Sequence, residues 1–510
     1  MQDTSLGEIE AAPSYTLLSF VAAGALGVFY LASSLYIASH RLLWFDEVMT
    51  VHMARLPDWK TLFSALGHGV DSLPPAYYMV VGIFGKVFGN SEVAVRLPST
   101  LAMVATLLIT FDCARRLSDG LHGLIALALA AIPLAGEGFE ARSYAIYVMF
   151  AALALWAWAC TRDSGKWSAT LFGTVLFLGV SFHYYAVLLL VPFALWELSR
   201  WQPWQPISPK LIAGTIGIVL PALLLSPLIL SFSRQFSTGF WSRPSLSQLV
   251  SIYADIFVDG LLILVIVTIW IVLADRSDRP AIVPAMLPGE GIGWLFLAIP
   301  LAGFVAAELK TDAFAVRYFL GLVPGVAVAC ACCLARNFRK TRRVSLGILL
   351  LLAAWGVAKQ MQIALHPDSV ETPGTRAALA AEPRLTNDGK RFFVFSDPFQ
   401  FLEVQYYSKH PDECILLLPP DFERQANPIR SAPDPYIHQR VELLLSQYYP
   451  LKFWRMDQLR DHANEAALIK PAPELVDNLR RDEFDVSTRL SKPISVMYLQ
   501  QESTRTTPVP

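Results

Sequence analysis

The first 360 residues of the chain are built from repeated runs of about 20 mostly apolar residues, separated by short polar segments. A hydrocarbon layer about 30 Å thick is crossed by about 20 residues of helix, and it offers no water to satisfy an exposed peptide group. Runs of this length leave such a chain few choices other than a bundle of membrane-spanning helices. The pattern predicts spans near 15–37, 94–113, 121–135, 143–160, 168–182, 184–198, 211–231, 251–273, 291–308, 316–335 and 343–360, about eleven in all. Composition agrees: 54% of the 510 residues are hydrophobic and 16% are charged, where a soluble domain carries about 25% charged residues. The net charge of −1 argues against a nucleic-acid partner. The segment 74–87 is too short and interrupted for a span, and is expected as a helix lying in or re-entering the interface.

Orientation follows from the placement of Lys and Arg in short loops. The loops Ala114–Gly120, Thr161–Lys166, Ser199–Lys210, Asp275–Glu290 and Arg336–Arg343 concentrate them and are expected in the cytoplasm, with the N-terminus. Met1–Ser14 is polar and acidic and lacks the basic region of a cleavable signal, so the first run is expected to be retained. An odd number of spans puts the remainder on the opposite, outer side. The chain is therefore expected to divide into a transmembrane domain, 1–360, and an outer C-terminal domain, 361–510.

That tail is rich in Pro, Asp, Glu and Arg and has no spanning run. Arg391–Ser396, Cys414–Leu418 and Ile494–Leu499 read as strands. Asp397–Tyr407, opened by an Asp cap and a Pro at the first helical position, reads as a helix, as does Tyr436–Tyr448. Alternating strands and helices predict a small α/β domain. Five of the six cysteines lie in or beside apolar runs, and the single CxxC, Cys330 to Cys333, falls inside one. Helix packing explains it better than a redox or zinc motif, and no disulfide framework is evident.

The polar residues with chemical potential gather on the outer side. The first outer loop opens with Trp44, Phe45, Asp46 and Glu47, and continues through His52, His68 and Asp71 to Pro74, Pro75, Tyr77 and Tyr78. The second carries Glu137, Glu140, Arg142 and Tyr144; the third is Phe182–Tyr185, with His183 and Tyr184; the fifth ends at Asp312, Arg317 and Tyr318. The span centres are nearly free of ionisable residues, unlike those of a proton pump or many transporters. Group transfer outside the cytoplasm has no nucleotide donor to draw on and must use an activated donor delivered through the bilayer, such as a lipid-linked phosphate. That chemistry needs a carboxylate to deprotonate an acceptor hydroxyl and cations to hold the departing phosphate. Asp46 and Glu47 supply the first, Arg142 and Arg317 the second. Each residue also has a plainer role. Arg142 and Arg317 sit at span starts and can snorkel to headgroups. Tyr144 and Tyr318 suit an aromatic belt, and Asp46 and Glu47 suit a hydrated loop. The histidines lack metal-ligand spacing, so no cofactor is required and a divalent ion is left open. No GxSxG elbow supports a serine nucleophile.

Read in order, these motifs resemble the GT-C superfamily of integral-membrane glycosyltransferases, in particular its bacterial dolichyl-phosphate-mannose protein mannosyltransferase-like and aminoarabinose transferase-like members. The resemblance rests on Trp44–Glu47, Asp71–Tyr78 with its double proline, Phe88–Ser99, Glu140–Tyr144, Ser181–Tyr185 and Arg317–Pro324, and covers about residues 15–335. It implies inverting transfer of a glycosyl group from a polyprenyl-phosphate-linked sugar to an envelope lipid, polysaccharide or protein acceptor, at the periplasmic face of a bacterial inner membrane. Asp46 is implied as the base, with Glu47 beside it. Arg142, Arg317, Tyr144 and Tyr318 are implied at the donor phosphate and lipid carrier, and Asp71, Glu140, His183 and Tyr184 at the cavity or acceptor. The aminoarabinose transferases have a Lys after the second-loop acid that has no counterpart here. A transporter or flippase of a lipid-linked saccharide, without transferase chemistry, is the alternative.

Overall fold

The computed structural model describes residues 13–161, 166–202, 204, 206–235, 242–258, 286, 288–337, 342–367, 374–420, 422, 436–481, 484–490 and 494–501. The expected span at 251–273 therefore lies largely outside the described residues. By contacts the chain divides into two compact units. Met1–His40, Leu73–Ser226 and Ser242–Pro367 form the first; Arg41–Ser72, Pro227–Trp241 and Asp368–Pro510 form the second.

In chain order the helices begin with α1 (Pro13–His40), α2 (Phe45–Ala54), α3 (Trp59–Gly67) and α4 (Pro75–Phe88). They continue with α5 (Glu92–Leu117), α6 (Gly120–Ala131), α7 (Tyr144–Ala159), α8 (Lys166–Phe182), α9 (Leu190–Ser199), α10 (Pro209–Leu224) and α11 (Ser226–Gln235). Then come α12 (Leu246–Val258), α13 (Pro288–Leu295), α14 (Ala298–Ala306), α15 (Val323–Asn337) and α16 (Arg342–Leu365). Among the described residues five helices are long and apolar enough to cross a membrane: Leu17–His40, Glu92–Leu117, Gly289–Lys310, Val316–Asn337 and Arg342–Leu365. Shorter apolar helices surround them. The segment 75–88 forms the helix expected there.

The first unit is a helical bundle centred on α5, which packs on α1, α4, α6, α7 and α15. Its outward helices leave large apolar side chains bare, such as Leu17, Leu18 and Val28 on α1, Leu223 and Leu224 on α10, and Leu350 and Leu351 on α16. Such surfaces are suited to lipid rather than water. The bundle is that of a polytopic membrane protein. Close approach of α8 and α10 depends on glycine: a Cβ on Gly217 would lie 2.2 Å from the Gly173 carbonyl oxygen. Small residues at helix contacts let backbones meet in the absence of a hydrophobic drive between helices. All six cysteines are unpaired.

In the second unit the tail forms a six-stranded sheet from β1 (Phe392–Phe395), β2 (Cys414–Leu417), β3 (Lys452–Trp454), β4 (Ala466–Ile469), β5 (Phe484–Leu490) and β6 (Val496–Gln501). The order is β3-β2-β1-β4-β6-β5. The first four strands are mutually parallel, and β6 and β5 close one edge antiparallel. The connecting helices are α18 (Pro398–Tyr407), α19 (Ile437–Leu445), α20 (Met456–Asp461) and α21 (Pro473–Arg481), preceded by α17 (Thr375–Asn387). This is the small α/β domain expected, with Val394, Ile415, Leu459, Leu468 and Leu479 in its core. The chain leaves β1 toward β2 and later returns past it to β4, which puts a topological switch at the carboxyl end of β1. Asp397 caps α18 there, its Oδ1 accepting from the Phe399 N–H at 3.0 Å. A carboxylate already occupies the helix start where α/β domains often bind phosphate.

Candidate functional site

In the bundle, three stretches far apart in the sequence supply one cluster. The second-loop strand of chain before α7 is fastened to α5: Thr100 Oγ1 donates to the Gly138 carbonyl at 2.6 Å, and Ser99 Oγ to the Arg142 carbonyl at 2.8 Å. Ser99 also meets the Tyr77 hydroxyl of α4 at 2.8 Å. These bonds fix the backbone of Arg142, which is buried, and the start of α7, where Tyr144 and Tyr147 lie one turn apart on one face.

Between α8 and α9 the chain turns at His183. The Tyr185 N–H donates to His183 Nδ1 at 3.2 Å, so the neutral ring carries its proton on Nε2. Nε2 is buried without a hydrogen-bond partner among the described residues, and so is the Tyr147 hydroxyl. The rings enclose one another: Tyr147 stacks on His183 at 4.9 Å, Tyr144 lies 5.5 Å from it and Tyr318 5.9 Å. Tyr185 stacks on Tyr318 at 4.8 Å, and its hydroxyl donates to the Ala313 carbonyl. Tyr318 comes from the 3-10 segment Val316–Leu322, where Gly321 leaves room for the Tyr147 phenol; a Cβ would sit 2.4 Å from its oxygen. The Arg317 guanidinium lies over Tyr144, 5.3 Å from the ring centroid, a cation–π geometry.

Burial, reinforced by the charges of Arg142 and Arg317, holds His183 well below its usual pKa. The imidazole is thus a neutral N–H donor beside two guanidinium groups. Two guanidinium groups and two unpaired buried polar atoms are poor company for water-free packing. They suit an oxygen-rich anion, to which Arg offers a two-pronged donor set. Glu140 and Tyr184 are half-buried in the same loops.

The second unit holds the acid pair. Asp46 and Glu47 open α2, but their surroundings differ. Glu47 is fully buried and its Oε2 reaches back to accept from the Trp44 N–H at 3.2 Å, satisfying one N–H of the helix start. Asp46, half-buried, occupies the position before it, in the first turn of α2. Phe45 packs on Phe399 at 4.7 Å and on His438 of α19 at 5.6 Å. Burial keeps His438 below its usual pKa against the opposing pull of the Asp46 and Asp397 carboxylates. One turn on, Glu442 is wholly buried, and burial with the charge of Asp397 pushes its pKa well up. The Asp71 carboxylate accepts from the Ser72 N–H at 2.6 Å.

The remaining histidines between α1 and α4 serve packing. His52 is buried between Tyr449 at 4.3 Å and Tyr406 at 5.9 Å. His68 Nδ1 meets the Tyr448 hydroxyl at 3.0 Å. Among the described residues no three His, Cys, Asp or Glu side chains assemble as metal ligands. Tyr147 was not among the residues expected at the site; its signal was its one-turn offset from Tyr144. Nor were Glu403, Tyr407 and His438, which no local pattern marks.

Residues 72–229 match the family described as dolichyl-phosphate-mannose-protein mannosyltransferase. The fold is similar to that of ArnT from Cupriavidus metallidurans bound to undecaprenyl phosphate, with a TM-score of 0.61 at 13% identity over 96% of this chain and 98% of that one. ArnT in the apo state matches with a TM-score of 0.60, the same identity and the same coverage. A looser likeness, TM-score 0.43 at 12% identity over 75% of this chain and 63% of that one, links it to the oligosaccharyltransferase AglB from Archaeoglobus fulgidus in complex with an inhibitory peptide and a dolichol phosphate. No curated protein matches the chain by sequence.

Proposed function

We propose that the chain is a glycosyltransferase of the GT-C type and that it transfers a glycosyl group from a polyprenyl-phosphate-linked sugar to an envelope lipid, polysaccharide or protein acceptor. The reaction takes place at the periplasmic face of a bacterial inner membrane and inverts the anomeric carbon. The observation that carries this reading is the Arg142, Arg317 and His183 cluster: two cations and an unpaired buried donor, built from three separate loops.

In the proposed reaction Asp46 takes the proton of an acceptor hydroxyl, and the oxygen attacks the anomeric carbon from the side opposite the phosphate. The bond from that carbon to the phosphate oxygen breaks, and its electron pair leaves with the polyprenyl phosphate. Arg142 and Arg317 meet the charge that grows there, and neutral His183 donates through Nε2–H without competing for a proton. Tyr144 and Tyr318 form the aromatic wall around Arg317. Glu47, engaged in the helix cap, supports the position of Asp46. Asp71, Glu140 and Tyr184 are assigned to the sugar or the acceptor, as the family resemblance implies. The likeness to ArnT crystallised with undecaprenyl phosphate supports a lipid-linked donor.

The test is a transfer assay with purified full-length protein in detergent, where vectorial transport has no meaning. A panel of polyprenyl-phosphate sugars is offered with envelope lipid and polysaccharide acceptors, with and without chelator. Release of polyprenyl phosphate coupled to glycosylated product is expected with at least one donor. Binding of donors with neither transfer nor hydrolysis across the panel would favour a flippase and overturn the proposal.

A further inference from the structure

The tail domain also touches the proposed chemistry. The N-terminus of α2 leaves backbone N–H groups unpaired, as every helix start does. The N–H of Phe45, the first residue of α2, and that of Leu43, just before the helix, are both taken up by side chains of α18, some 360 residues further along. Glu403 Oε1 accepts from the Phe45 N–H at 2.9 Å, and the Tyr407 hydroxyl accepts from the Leu43 N–H at 2.8 Å. Glu403 is itself buried and pinned, its Oε2 accepting from Thr375 Oγ1 at 2.7 Å. A carboxylate at the positive end of a helix is held by charge as well as by the hydrogen bond. At the other end of α2, Arg55 donates to the Tyr406 hydroxyl at 2.9 Å, and the Tyr449 hydroxyl donates to the His52 carbonyl. Both ends of the helix that carries Asp46 are thus fastened to the tail.

We propose that Glu403 and Tyr407 are positioning residues for the base: the C-terminal domain sets the location of Asp46 through the backbone N–H groups of Phe45 and Leu43. The inference rests on the reading of Asp46 as the base. It gives the tail a function in turnover that does not depend on touching sugar or carrier. Displacement of a reacting group by about 1 Å can cost about 100-fold in rate, so a loosened α2 start is felt in kcat while substrate binding elsewhere is unchanged.

The test measures kcat and the KM for donor in the full-length protein for Glu403→Ala, Glu403→Gln and Tyr407→Phe, alone and combined with Asp46→Asn. Glu403→Ala is expected to lower kcat about 10- to 100-fold with donor KM within about twofold. Glu403→Gln keeps an oxygen that can accept from the Phe45 N–H and restores most of the rate. Tyr407→Phe, which deletes only a hydroxyl, falls between and decides the question should Glu403→Ala fail to fold. In the Asp46→Asn background the same substitutions are expected to change the residual rate less than about twofold, because the group being positioned is gone. Unchanged kcat in both Glu403→Ala and Tyr407→Phe, or losses that multiply with Asp46→Asn, would overturn the positioning role and leave the base assignment standing. Full activity of Asp46→Asn would overturn the base assignment first and this inference with it.

Discussion

Replacing Arg317 by Gln removes one of the two cations beside His183 while leaving the pocket nearly filled. The guanidinium lies 5.3 Å from the Tyr144 ring centroid, and a donor that binds without displacing it leaves that cation–π contribution out of the binding comparison. What is lost is a charge-assisted hydrogen bond to phosphate, worth about 1.5–3 kcal/mol. At about 1.4 kcal/mol per tenfold, affinity for polyprenyl phosphate should fall roughly 10- to 100-fold. The change at His183 has a known sign. Its depressed pKa stems first from burial and then from Arg142 and Arg317, so removing Arg317 raises it part of the way. Burial and Arg142 still hold it low, and the ring stays neutral at pH 7.5, so the loss belongs to the arginine itself. Arg317→Lys keeps the charge but loses the planar fork, and should lie between. The assay is a titration of the purified variants with undecaprenyl phosphate, alongside their Tm. A Kd within twofold of wild type in a variant of unchanged Tm would refute the phosphate role of Arg317.

Two further outcomes concern the scaffold. Gly217→Ala should destabilise the bundle by about 1–3 kcal/mol, because its Cβ would meet the Gly173 carbonyl oxygen at 2.2 Å and force α8 and α10 apart; Gly24→Ala, with nothing within 4 Å, is the matched control expected to leave Tm unchanged or raised, and equal Tm values for the two variants would refute the close-contact argument. His52, whose pKa burial and Arg55 lower to about 4, stays neutral in the folded protein while the unfolded chain binds a proton near pH 6.5; stability should therefore be lost as pH falls from about 6.5 toward 4, and thermal unfolding of His52→Gln should lose less over that window than wild type.

Much of this architecture is written locally. The apolar runs announce the helices because lipid permits little else, and Asp397 with Pro398 announces α18 because a cap and a fixed φ act within one turn. Strand β4, with two alanines in four residues, and β3, three residues long, carry little intrinsic signal; they are strands because β1 and β2 offer them parallel edges. Most of the cluster around His183 was legible as motifs, since Arg142, Tyr144, Arg317 and Tyr318 lie in or at the ends of short loops. The depth of His183 and the missing partner of its Nε2 were not, because they depend on three loops folding over one ring. His52 and His68 show the opposite case, chemically suggestive residues that the fold uses to dock α2 and α3 on Tyr406, Tyr448 and Tyr449. The link from Glu403 to Phe45 spans most of the chain, and no periodicity can encode a contact at that separation.

Asp46, as the proposed base, is tested most directly by the turnover of Asp46→Asn with a lipid-linked sugar that the wild-type protein uses, measured beside the binding of polyprenyl phosphate. A fall in kcat of at least about 100-fold, the range of a lost general base, is expected with carrier affinity unchanged. Wild-type turnover by Asp46→Asn would contradict the role of Asp46.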